Sequence, residues 1–296
     1  MAGKALRSLG VLAWAAAATT YAQDAALPIP ELGDMQLERT FVNPSMGTGL
    51  FVPNGESLAK GTWVVGGTFG YAKNPLVLFR GPSAQGLLIS DRGTLQAHLA
   101  YGVNDGLMLT AQGLAAVVQR GDDVKDVPAL ARWGSGAFRF GVRAQLLSQK
   151  ESGLLAHAQP VDLTLGLTWA PPLGTSHGFV REPGLYLEPQ LDVGHSFAAF
   201  RLGGEATVSV RGRAGNALNF KLLVASTEDR LRYELAVLST LPLNSEKQLV
   251  GIELLGAVRT RVGPVELYLG GGPSFGRLIG TPLLRLMGGA AWRSTP

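Results

Sequence analysis

The chain has 296 residues, with 26 Lys and Arg against 22 Asp and Glu, no cysteine, 40 glycines and a charged fraction of only 16%. The missing cysteines exclude a disulfide frame, a thiolate metal site and a lipid-modified N-terminal cysteine. The low charge, against about a quarter in average domains, and the many glycines suit a sheet with one face in lipid and frequent tight turns.

In chain order, Lys4 and Arg7 precede an apolar run from Leu9 to Ala18 and a small-residue step at Thr20-Tyr21-Ala22. This is the layout of an export signal, expected over 1–22, and its apolar run is too short to span a bilayer. Cleavage after Ala22 removes Lys4 and Arg7 and leaves 24 basic groups against 22 acidic ones, so the charge makes no case for nucleic acid. Residues 23–60, interrupted by Pro28, Pro30, Pro44 and Pro53, read as an irregular periplasmic lead-in. From 61 to 296 the sequence alternates apolar with small or polar residues. In Thr94–Tyr101, for example, Leu95, Ala97, Leu99 and Tyr101 share one face, while Thr94, Gln96, His98 and Ala100 share the other. Only a strand has that period of two.

Twelve strands are expected, at 62–71, 94–103, 107–118, 137–147, 161–170, 184–194, 200–211, 216–224, 230–241, 248–260, 264–272 and 283–292. Most have the nine to eleven residues that a tilted membrane strand needs. No later segment offers eighteen uninterrupted apolar residues, so the spans are not helical. The odd-numbered connections are longer on average than the even ones, as an outer-membrane barrel with long outer loops and short periplasmic turns requires. Strand 216–224 is the weakest in pattern, but without it the even parity of such barrels is lost. The fold class is therefore an all-β, transmembrane, antiparallel up-and-down barrel of about twelve strands, with the long loops 72–93 and 119–136 facing outside.

Trp63, Tyr71, Tyr101, Trp169 and Trp292 lie in the apolar phase near strand ends, where interface aromatics belong. Tyr186 and Tyr268 fall in the polar phase. The polar phase supplies the lumen candidates His98, Arg139, Arg143, Asp162, Glu188, Asp192, Glu205, Arg232, Glu234 and Arg285. Taken over all strands it holds eight basic and seven acidic groups, a balance that favours a self-neutralising interior over a strongly ion-selective pore. Arg139 and Arg143 form a local basic strip, expected to face Asp162, Glu188 and Asp192.

Signals for chemistry are weak. The four histidines, His98, His157, His177 and His195, show no metal-ligand spacing. His177 and His195 stand beside Ser176 and Ser196, but adjacent side chains point apart and make no dyad. Gly270-Gly271-Gly272-Pro273 lacks the rest of a phosphate loop, and Arg120-Gly121-Asp122-Asp123 reads as a solvated loop. No catalytic residue, metal or cofactor is expected.

The segments Gly70–Leu78, Gln96–Leu99 and Gly102–Leu109, with Gln119–Asp123 and Gly134-Ser135-Gly136, resemble the N-terminal β-barrel of OmpA-family outer-membrane proteins from myxobacteria and related deltaproteobacteria. The resemblance runs from about Leu37 to Trp292 and is strongest before residue 147. It implies an integral outer-membrane barrel of a cell envelope. The peptidoglycan-binding domain that follows the barrel in that family is expected to be lacking here. The leading functional expectation is a structural or partner-binding barrel in outer-membrane lipid, open to a surface or periplasmic protein partner. The alternatives are a narrow porin-like channel for small polar solutes and a soluble periplasmic β-barrel binder. The sequence sets no oligomeric state.

Overall fold

The computed structural model describes residues 36–80, 83–122, 132–150, 153–154, 158–175, 178–182, 184–211, 215–228, 230–243 and 250–294. The expected signal 1–22 lies outside them, as do His157 and His177. Twelve strands follow one another: β1 Trp63–Arg80, β2 Ser83–Asn104, β3 Leu107–Arg120, β4 Gly134–Leu147, β5 Asp162–Ala170, β6 Tyr186–Ser196, β7 Phe200–Ser209, β8 Ala217–Ser226, β9 Leu231–Pro242, β10 Gly251–Val262, β11 Val265–Gly276 and β12 Leu284–Arg293. Each pairs antiparallel with its sequence neighbours, and β1 closes on β12 from Val64↔Arg293 to Lys73↔Leu284. No helix occurs among the described residues. The weakly patterned eighth strand is present, and it restores the even count that lets the first and last strands meet antiparallel.

The period of two decides which face is which. Leu235, Leu269 and Leu222 on the outer face are 70%, 69% and 64% exposed, whereas Thr94, Gln96 and His98 on the inner face are only 2–3% exposed. An apolar outside around a polar inside suits lipid as the outer solvent. A soluble barrel would turn the same strands the other way round.

The lower rim, where β1 begins, carries the short turns 105–106, 197–199, 227–230 and 263–264 together with one longer connection, 148–161. The upper rim carries 121–133, 171–185, 210–216, 243–250 and 277–283. One expectation is corrected here. The segment 72–93 is not a loop, because β1 and β2 continue as a paired hairpin past Lys73↔Asp91 to Arg80↔Ser83. Its sequence looks loop-like because register shifts between Lys73 and Phe79 absorb Pro75 and the left-handed Asn74 (φ 53°). Bulges of this kind hold residues that a regular ladder cannot. Leu76, Leu88 and Ile89 of this hairpin are buried with Leu37 and Phe179 in an apolar cluster at the upper rim.

Candidate functional site

Eight strands enclose an interior that side chains just fill, and twelve enclose a wider one. Here a separate piece of chain fills it. The segment expected as a periplasmic lead-in runs through the lumen instead, from Leu37, whose N–H donates to Phe179 O at the upper rim, to Lys60 and Gly61, which bond Asp105 and Gly102 at the lower rim. Leu50, Phe51 and Val52 have no measurable exposure. These apolar residues, with Val42, Met46 and Leu58, pack on a patch of inner wall that includes Met108, Leu223, Leu238, Leu255 and Met287. Removing that area from water is the main force seating the segment.

An irregular segment makes no ladder, so its buried backbone groups need other partners. The inward charged residues supply them. Glu234 accepts from Leu50 N at 2.6 Å and from Phe51 N at 3.0 Å. Arg259 donates to Thr48 O at 2.7 Å and Gly47 O at 2.8 Å, and Arg201 donates to Asn54 O at 2.6 Å. Gln145 and Thr164 both donate to Gly55 O at 2.8 Å. Arg285 joins Glu38 of the segment and Glu253 of the wall, the latter at 2.7 Å. The Asn43–Leu50 turn closes on itself through Asn43 N to Leu50 O at 2.7 Å. Wall glycines make room for the segment. A Cβ on Gly194 would stand 2.0 Å from Asn54 O, one on Gly102 2.2 Å from Ala59 O and one on Gly203 2.6 Å from Asn54 Cβ.

Of the sequence-derived lumen residues, His98, Arg139, Arg143, Asp162, Asp192, Glu205, Glu234 and Arg285 lie buried inside the barrel. Glu188 is half-buried, accepting from Tyr186 Oη and from Ser209 Oγ. Arg232 is half-buried at a lower-rim vestibule of about 320 Å³, where its Nε donates to Glu228 O. The basic strip faces two of its three expected carboxylates, Arg139 lying within electrostatic reach of Glu188 and Arg143 within reach of Asp192. Asp162 is taken by Arg201 at 2.7 Å, and Arg139 also faces Glu182 of the 171–185 connection at 3.6 Å. Tyr186 and Tyr268 are buried on the inner face, with Tyr268 Oη 2.6 Å from Thr68 Oγ1.

Outside, Trp63, Trp169 and Trp292 are 42–45% exposed, and Tyr71 and Tyr101 are half-buried. Trp63 packs against Tyr101 with ring centroids 4.3 Å apart, and Trp169 packs against Phe140 at 4.9 Å. His195 Nδ1 donates to Pro160 O at 2.6 Å while the Ser196 hydroxyl accepts from Arg201, so the adjacent pair is engaged in two directions. The residues that sequence reading missed are those of the N-terminal segment, with Arg92 and Glu182. Arg92 was hidden in the supposed loop 72–93. The signal available for the segment was Leu50-Phe51-Val52, a run too apolar for a hydrated linker.

In fold the chain is similar to an outer-membrane channel from Pseudomonas putida F1, with a TM-score of 0.60 at 11% identity, covering 83% of this chain and 100% of that one. It is also similar to the KdgM porin, with a TM-score of 0.51 at 7% identity, covering 78% and 99% respectively. No protein-family model matches the sequence, and no curated protein is similar to it. At such identities the likeness concerns the fold, a closed twelve-stranded antiparallel barrel of the outer-membrane porin type.

Proposed function

We propose that this protein is an outer-membrane channel for small polar solutes whose passage is occupied, at rest, by its own residues 36–59. One observation carries this reading. The lumen is wide enough for a polypeptide to run from rim to rim, and the occupant is held by non-covalent contacts with polar groups that can also serve a solute. A barrel acting only as a structural element has no need of a bore that must be filled by a second piece of chain. The similarity in fold to a channel and a porin supports the same reading. It moves the channel ahead of the structural or partner-binding role. The OmpA-type resemblance is carried by strand ends and turns, which here are wall, and so adds no cell-wall role. In this reading a leader over 1–22 directs export, and the short-turn rim faces the periplasm.

Planar-bilayer recording tests the proposal. The full chain is expected to give small or rare current steps, and a chain lacking 36–58 clearly larger ones. Silence from both, with the truncated chain shown to be folded by its heat-shifted mobility on gels, would return the protein to a structural role.

A further inference from the structure

Between the N-terminal segment and strands β3 to β10 lies a cavity of about 70 Å³. That is room for a few waters or one small polar group. Five cationic side chains line it, Arg39, Arg139, Arg143, Arg211 and Lys221, against three carboxylates, Glu188, Glu205 and Glu253. Each carboxylate already has a partner, and one of them neutralises Lys221. Glu188 accepts from Ser209 Oγ at 2.8 Å, Glu205 pairs with Lys221 at 2.6 Å, and Glu253 pairs with Arg285 at 2.7 Å.

The arginines are not so well served. Arg139, Arg143 and Arg211 are only 6–8% exposed, and the Nε of each has no hydrogen-bond partner. Arg139 and Arg211 share one carboxylate, Glu182, at 3.6 and 3.8 Å, which is beyond hydrogen-bonding reach. Their planes rest on aromatic rings, Arg139 over Phe41 at 4.0 Å and over Tyr186 at 4.7 Å, and Arg211 over Tyr186 at 5.2 Å. A buried guanidinium with an unused donor is costly unless something accepts from it. Its fork matches a carboxylate or phosphate.

Two of these arginines also touch the segment, through long hydrogen bonds and, for Arg139, the face of Phe41. Arg139 reaches Gln36 Oε1 and Arg143 reaches Asn43 Oδ1, each at 3.3 Å. Nearer the lower rim Glu234, Arg259 and Arg201 hold the segment's backbone with bonds of 2.6–3.0 Å.

We propose that this cavity is an anion-binding station, in which Arg139, Arg143 and Arg211 take a solute carboxylate or phosphate and Arg139 and Arg143 give up their long hydrogen bonds to the segment, so that an anionic solute loosens the resting block. The station rests on the channel reading for its role in transport, but not for its chemistry. An anion that takes the arginine forks removes the Gln36 and Asn43 contacts, and its binding is thereby linked to release of that side of the segment.

The test uses the folded full chain with glucuronate, inorganic phosphate and glucose as probes, in titration calorimetry and in bilayer recording. Glucuronate or phosphate is expected to bind and to raise the open fraction, the tighter of the two naming the preferred group, while glucose does neither. Arg139→Gln with Arg143→Gln is expected to weaken anion binding about tenfold or more, the loss of one or two charge-assisted bonds. If that double variant fails to fold, Arg143→Lys keeps the charge but not the fork and is expected to weaken binding several-fold. Glucose acting like glucuronate, or unchanged anion affinity in the folded arginine variant, would overturn the proposal. Arginine-dependent anion binding without current would retire the channel and keep the station. Current without such binding would do the reverse.

Discussion

Glu234 shows how a single inward carboxylate can serve a segment that has no secondary structure. Its two oxygens accept from consecutive amides, Leu50 N and Phe51 N, in the most buried part of the segment. Without it both amides are left buried and unsatisfied, at about 1–3 kcal/mol each. Glu234→Ala is therefore expected to free the segment before it harms the wall. The check is protease cleavage within 36–58 by mass spectrometry, with an intact barrel core and more frequent current openings; an uncleaved segment would show that Glu234 does not hold it. Leu165 and Thr164 test the wall one residue apart. Leu165 is 47% exposed at mid-strand, so Leu165→Arg is expected to cost about 2–4 kcal/mol in lipid. The alternation alone would make Arg much less costly at inward Thr164. The structure alters that expectation, since Thr164 is 1% exposed and donates to Gly55 O. Arg there should leave the wall folded and push the segment out, raising conductance, whereas Leu165→Arg should lower the unfolding midpoint without opening the pore.

At the scale of elements, the strands were legible because lipid and lumen impose opposite chemistry on alternate residues. All twelve were found, including the weakly patterned Ala217–Ser226. The upper part of the β1–β2 hairpin was not, because Pro75 and the bulged register from Lys73 to Phe79 carry no period of two. The lumen segment was invisible for a related reason. Its partners are inward side chains from β2, β3, β4, β5, β7, β9, β10 and β12, and non-local pairing of that kind leaves no local periodicity. What it does leave is a trace on the wall, in inward-phase glycines that a wall facing only water would not need. Gly203 faces Asn54 at a distance that leaves no place for a Cβ, while a Cβ there would meet the wall only at an ordinary 3.4 Å, at Leu223 Cδ2. Gly203→Val is accordingly expected to displace the segment at that point and give larger bilayer current steps, with little change in the strand content seen by circular dichroism. Unaltered currents would mean that Asn54 can shift without opening the passage.

For the whole molecule, the block and the wall are two bodies joined by one covalent link, at Lys60 to Trp63, and by many weaker contacts. The apolar patch around Leu223, Leu238 and Leu255 is dry only while Leu50, Phe51 and Val52 cover it, so the segment adds to stability as well as closing the passage. A barrel lacking 36–58 should still close, because the β1–β12 ladder from Val64 to Lys73 does not involve the segment, and it should unfold at a lower temperature. If the contacts rather than the tether determine the fit, a synthetic peptide of residues 36–60 added to that truncated barrel should restore both properties. It is expected to reduce the current in a saturable manner and to raise the unfolding temperature. The same peptide should fail on a truncated barrel carrying Gly203→Val, where Asn54 has no seat. Block of both barrels to the same degree would mean that the peptide obstructs the bore without adopting the seat seen in the intact chain.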